Sequence, residues 1–160
     1  MGVPWFKKSS GQDQPPAERV FGGPVSSIEP LRDDEVAWVR STIAELVEQG
    51  VRTDDLDDLG RYYDEMVAGW HRLKESDRPD PDAVIRRIGL ALGQYVADRT
   101  GLEWRVAIDD QGTEIALYRE RGEVLVHPTR LVATRWVARE ERVLPGLGRA
   151  LIESIPDPTG

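Results

Sequence analysis

The hydrophobic period changes once along this chain, and that change fixes its fold class. Up to Thr100-Gly101 apolar residues recur every three or four positions; from Leu102 they alternate. Leu102, Trp104, Val106 and Ile108 stand between Glu103, Arg105, Ala107 and Asp109, the pattern of a strand with one buried and one wet face. Asp109-Asp110-Gln111-Gly112 predicts a turn, and residues 113–119 a second strand with Ile115 and Leu117 inward. A turn around Gly122 leads to a third strand over residues 124–127, stopped by Pro128. The expectation is a three-stranded antiparallel meander.

The helical part holds three stripes. Val36, Val39, Ile43, Leu46 and Val47 follow a cap at Asp33 and end at Gly50. Leu56, Leu59, Tyr63, Met66, Val67, Trp70 and Leu73 follow a cap at Thr53. Val84, Ile85, Ile88, Leu92 and Val96 follow Asp80 as cap, with Pro81 at the first helical position. Each stripe must bury one face, because isolated helices of this length are marginal in water. After the meander, Thr129 can cap a short helix carrying Leu131, Val132 and Trp136, and Pro145 opens a last one with Leu147, Leu151, Ile152 and Ile155. Three N-terminal amphipathic helices, a meander and one or two C-terminal helices make an α+β fold, with helices on one sheet face.

A chain of 160 residues suits one domain with tails. Residues 1–30 hold five prolines and no sustained period, so they read as a flexible tail, residues 31–156 as the domain and 157–160 as a C-terminal tail. Trp5, Phe6, Lys7 and Lys8 offer too little apolar area and charge to anchor the chain to a membrane. The five tryptophans recur every 32 to 34 residues, but the hydrophobic phase around them disagrees, which excludes a repeat array.

The net charge of -8 is local: residues 31–82 carry 15 acids against 7 bases, and the rest cancels. Such asymmetry marks an interaction surface or a well-solvated face, and Asp54, Asp55, Asp57 and Asp58 are its densest part. The negative sign opposes nucleic-acid binding through bulk electrostatics. A helix-turn-helix is disfavoured by the long acidic linker between the second and third helices.

The segments Leu92-Gly93, Gly101-Leu102-Glu103-Trp104, Asp109-x-x-Gly112-Thr113-Glu114 and 124–128, all between Leu92 and Trp136, resemble a bacterial family known as domain of unknown function 3806. The resemblance implies a bacterial cytoplasmic protein with a helix–meander–helix core. It carries over no catalytic residue.

Templates for chemistry fail one by one. There is no cysteine, which removes disulfides, thiolate catalysis and Cys-ligated metals. Asp55-x-Asp57-x-x-Gly60 begins like a calcium loop, but Leu59 and Met66 stand where oxygens are required. His71 and His127 are the only histidines and share no metal-binding spacing. No serine lies in a nucleophile elbow. Gly146-Leu147-Gly148 follows Leu144-Pro145 rather than a strand, against a dinucleotide site. Gly89 and Gly93, four apart on one helix, point to a closely packed neighbour. No catalytic residue, metal or cofactor is expected.

One constellation survives. Parity places Glu103, Arg105, Glu114, Tyr118, Leu125 and His127 on the outward sheet face, with Arg135 near its rim. Arg105, Tyr118 and His127 could hold a carboxylate or phosphate; the plain alternative is a wet sheet face with diagonal Arg–Glu pairs. The expected function is therefore non-catalytic binding or regulation in the cytosol, through protein–protein contacts on the acidic surface or the sheet face. An anionic-metabolite module or enzyme on the outward face is the alternative.

Overall fold

The computed structural model describes Val25 and residues 27–156; the reading of residues 1–24 and 157–160 as tails lies outside them. The order is β1 (Ser27–Pro30), α1 (Asp33–Glu48), α2 (Leu56–Arg72), a 3-10 turn (Glu75–Asp77), α3 (Asp82–Thr100), β2 (Glu103–Asp109), β3 (Gly112–Arg119), β4 (Val124–Val126), α4 (Pro128–Val137) and α5 (Leu144–Ser154). The fold is α+β, and its sheet has four antiparallel strands in the order β1-β2-β3-β4 rather than the expected three. The added strand falls at the end of the stretch read as tail. Its four residues pair Ser27 with Ile108 and Pro30 with Arg105, and Pro30 is tolerated because β1 is an edge.

Cap positions shift by one or two residues from expectation. Arg32, not Asp33, precedes α1, and its N–H donates to Glu35 Oε1 at 2.8 Å. Asp55, not Thr53, caps α2, accepting from the N–H groups of Asp57 and Asp58. Pro81 sits at the cap of α3, while Asp80 accepts from the N–H of Asp82 at 2.9 Å. In each case the carboxylate that reaches the free N–H groups decides the boundary. His127 stands at the cap of α4, with Pro128 in its first turn.

α3 is the central element, touching α1, α2, α4 and α5. Its residues from Ile88 to Gly93 are buried all round, so it lacks the single stripe of a surface helix. Gly93 lets the Trp104 indole lie on the helix backbone, and a Cβ there would stand 2.9 Å from Pro128 Cγ. Gly89 does the same for Thr129, whose Cα would be 2.6 Å from an added Cβ. The inner sheet face adds Leu117, Val124 and Val126 to a core with Leu46, Leu59, Tyr63, Ile85, Leu92, Trp136 and Leu144. Val47 and Leu73, assigned to buried stripes, are exposed; Thr42 lies on the buried side of α1 instead and returns its hydroxyl to the Trp38 carbonyl. Among the described residues no helix is long and apolar enough to cross a membrane.

Candidate functional site

The outer sheet face is not the wet surface that alternation predicts. Ala107, Ala116 and Leu125 form a second apolar cluster, with Val25, Ile28 and Tyr118 packed against it. At its hairpin end, four charged or titratable side chains from three elements converge. Asp109 ends β2, Glu114 lies opposite Ala107 on β3, His127 follows β4, and Arg130 stands in the first turn of α4. Arg130 reaches back to both carboxylates: its Nη2 is 3.3 Å from Asp109 Oδ2 and pairs with Glu114 Oε1. His127 Nδ1 is 3.2 Å from the same Glu114 oxygen. That distance suits an ion pair, but the direction does not make a hydrogen bond, and Glu114 Oε2 has no hydrogen-bond partner among the described residues. The side chains of His127 and Glu114 are only 2% and 8% exposed.

This geometry fastens the β2–β3 hairpin to the start of α4. A carboxylate this buried depends on its cation, since removing one partner of a buried pair strands the other. It also weakens His127 as an anion receptor, because an incoming anion meets Glu114 already in place. Arg105 and His127 do share the face. Arg105 pairs with Ala116, and His127 follows Val126, the partner of Leu117, so Ala116 separates them. Arg105 instead turns to Glu103 at 3.5 Å and to the Trp104 carbonyl. Tyr118 stands opposite Glu103 and Leu125, in the apolar cluster. Arg135 donates to the Leu131 carbonyl, and its charge acts on Tyr63. Of the residues anticipated on this face, Glu114 and His127 therefore come together, while Arg105, Tyr118 and Arg135 turn to other partners.

The acidic start of α2 is occupied by the fold itself. Asp55 caps the helix and lies 3.4 Å from Arg52. Asp57 pairs with Arg149 at 3.2 Å, and Asp58 accepts from the Arg52 N–H at 2.8 Å and from Arg61. The Arg52 N–H above all, aided by Arg61, holds the Asp58 carboxyl below its ordinary range, against an opposing effect of burial. An open groove lined by Arg52, Asp54, Asp55, Leu56, Asp57, Tyr95 and Arg149 runs alongside. Of the four aspartates anticipated as a partner surface, Asp55, Asp57 and Asp58 thus neutralise nearby arginines and backbone N–H groups, and Asp54 lines the groove.

A third region carries features that no sequence template marks. The C-terminal ends of α2 and α4 meet where His71 Nε2 contacts the Trp136 carbonyl oxygen at 2.7 Å. Tyr63, Trp70, His71 and Trp136 pack edge to face or tilted around this point. Leu73 and Val137, directly beyond the contact, are 41% and 64% exposed. The following loop has Arg139 and Arg142 at φ 61° and 59°, a region that non-glycine residues occupy at a cost. Three bonds to α2 hold it: Tyr63 Oη to the Glu140 carbonyl, the Arg142 N–H to Asp64, and Arg139 Nη2 to the His71 carbonyl. Burial raises the Tyr63 phenol well above its ordinary value, with Glu140 and Asp64 adding to the shift and Arg135 opposing it.

Residues 66–143 match the model of a family described as Domain of unknown function (DUF3806). The matched segment extends the resemblance seen between Leu92 and Trp136 in both directions. It contains the sheet-face cluster, Leu73, Val137 and the strained loop, and it leaves out Asp54, Asp55, Asp57 and Asp58. No curated protein and no solved structure matches the chain.

Proposed function

We propose that this is a non-catalytic binding or regulatory protein of the bacterial cytosol, and that it meets a protein partner at the joined ends of α2 and α4. The observation that carries this reading is the exposure of Leu73 and Val137 on either side of the His71–Trp136 contact. Each stands within two residues of that contact, and exposed apolar area gathered in one region marks interaction surfaces more often than scattered side chains do. The loop beside them keeps two left-handed arginines under three restraints, and strain held in place by the surrounding structure is a feature of recognition sites. The acidic start of α2 supports the reading less, because three of its four aspartates, Asp55, Asp57 and Asp58, are engaged internally.

Capture from native lysate tests the site. Wild type, a Leu73→Asp/Val137→Asp variant and a variant with Asp54, Asp55, Asp57 and Asp58 changed to lysine are compared at equal folded concentration. A stoichiometric partner lost only with the first variant is the expected result. A partner lost only with the second moves the interface to the acidic surface.

The alternative, an anionic ligand on the outer sheet face, keeps one supporting observation: Arg105 and His127 lie on the same side. A thermal shift on adding small carboxylates or phosphate, abolished by Arg105→Ala, would favour it.

A further inference from the structure

We infer that the surface at the ends of α2 and α4 receives an acidic protein segment whose carboxylate bridges Arg78 and Arg139 while an apolar neighbour covers Leu73 and Val137. This deepens the binding reading above and rests on it. The carrying observation is a pair of guanidinium groups sharing one carbonyl. Arg78 Nη2 is 2.9 Å and Arg139 Nη2 3.1 Å from the His71 oxygen. Two legs of that length meeting at one atom place the nitrogens no more than 6.0 Å apart. Like charges this close repel, and a neutral carbonyl does not cancel either of them. Neither arginine forms an ion pair among the described residues, and neither do their neighbours Arg72 and Lys74. At the opposite end of α2, by contrast, Arg52, Arg61 and Arg149 all hold aspartates. In a chain with 29 acids and 21 bases, an unpaired group of four cations is not a matter of supply.

The two guanidiniums are also preorganised. Arg78 lies over the Trp70 ring at 4.9 Å and donates its Nε–H to the Leu73 carbonyl. Arg139 is fixed through a left-handed backbone. A guanidinium has five N–H donors, and only some are used here, so forked donors remain for a carboxylate. Holding them in place beforehand lowers the ordering cost of binding. The apolar pair selects the kind of partner: Leu73 and Val137 offer contact to a side chain and nothing to a phosphate backbone.

Selection of short random peptides displayed on phage tests this. Wild type is the bait, and binding of the enriched peptides is measured against Arg139→Gln, Arg78→Gln and Val137→Asp, each verified as folded by circular dichroism. Acidic peptides bearing an apolar residue are expected. Their affinity should fall at least about tenfold in Arg139→Gln or Arg78→Gln and weaken as salt is raised, and Val137→Asp should abolish it. Enriched peptides that lack acids, or that ignore both glutamine variants yet need Val137, overturn the acidic partner and leave the binding surface standing. No enrichment, or enrichment indifferent to Val137→Asp, overturns both. Inorganic phosphate competing fully with the peptides at millimolar levels would replace the protein segment with a free anion.

Discussion

His71 Nε2 and the Trp136 carbonyl oxygen, 2.7 Å apart and 65 positions apart in sequence, tie the last turn of α2 to the last turn of α4. The oxygen accepts, so Nε2 of His71 carries a proton, and Nδ1 is buried with no hydrogen-bond partner among the described residues. The same histidine carries, on its backbone oxygen, the two arginines that flank the exposed apolar pair.

His71→Leu should therefore act at two levels. It removes one of two hydrogen bonds on the Trp136 carbonyl, which keeps the Arg139 N–H at 3.1 Å, a loss of about 1 kcal/mol, and it loosens the loop that follows α4. Urea unfolding reads the first effect. Hydrogen exchange of the 138–143 amides reads the second and should quicken more than exchange in α3. An unchanged urea midpoint would show that the contact contributes nothing to stability.

The Glu114 carboxylate is the hinge of the sheet-face cluster, because it meets both Arg130 and His127. Glu114→Ala should destabilise by about 2–4 kcal/mol, below the roughly 3–5 kcal/mol for breaking a fully buried pair, because Arg130 is partly exposed and still faces Asp109. Replacing Arg105, whose partner Glu103 is 69% exposed, should cost under about 1 kcal/mol. Equal effects from the two positions would show that the convergence at Arg130 has no energetic weight.

Gly93→Ala sets a new Cβ against the Trp104 indole and 2.9 Å from Pro128 Cγ. Neither neighbour yields easily: the indole Nε1 donates to Gln94 at 3.0 Å, and Pro128 begins α4. Alanine favours a helix by up to about 1 kcal/mol over glycine, whereas overpacking costs about 1–3 kcal/mol. Overpacking wins, and the melting temperature should fall. At Gly146, where nothing lies within 4 Å of an added Cβ, the same change in helix α5 should raise it. A rise at both positions would sink the close-approach reading of Gly93.

Much of this architecture was legible in the sequence because period and parity are local properties. The switch at Leu102 located the meander, and alternation placed Arg105, Glu114, Tyr118 and His127 on one side. Burial was not legible on that side. It depends on Arg130 reaching back from α4, on Val25, and on Ile28 arriving from β1, a four-residue edge strand with a proline that carries no readable period. Exposure of Leu73 was hidden for a similar reason. Leu73 fits the stripe of α2, and only the point at which that helix ends leaves it uncovered; Val137 lies off the stripe of Leu131, Val132 and Trp136. Arg139 and Arg142 occupy backbone conformations that glycine usually announces, and no glycine stands there.

Tyr63 gives the fold a specific alkaline limit. Its phenol is buried against Trp136 and donates to the Glu140 carbonyl, and its ionisation lies well above the ordinary value of about 10. The unfolded chain releases this proton near its ordinary value while the folded chain keeps it. The contribution to stability is therefore complete below about pH 10 and falls as pH rises from there toward the folded value. Tyr63→Phe removes that dependence along with one hydrogen bond. The variant should be less stable by about 1 kcal/mol at neutral pH, and its stability should decline less steeply than that of wild type in alkali. Phenolate absorbance in wild type should show one of the four tyrosines ionising only as the chain unfolds. Four tyrosines titrating before unfolding would mean that the phenol is open to solvent and that the clamp on Glu140 is not maintained.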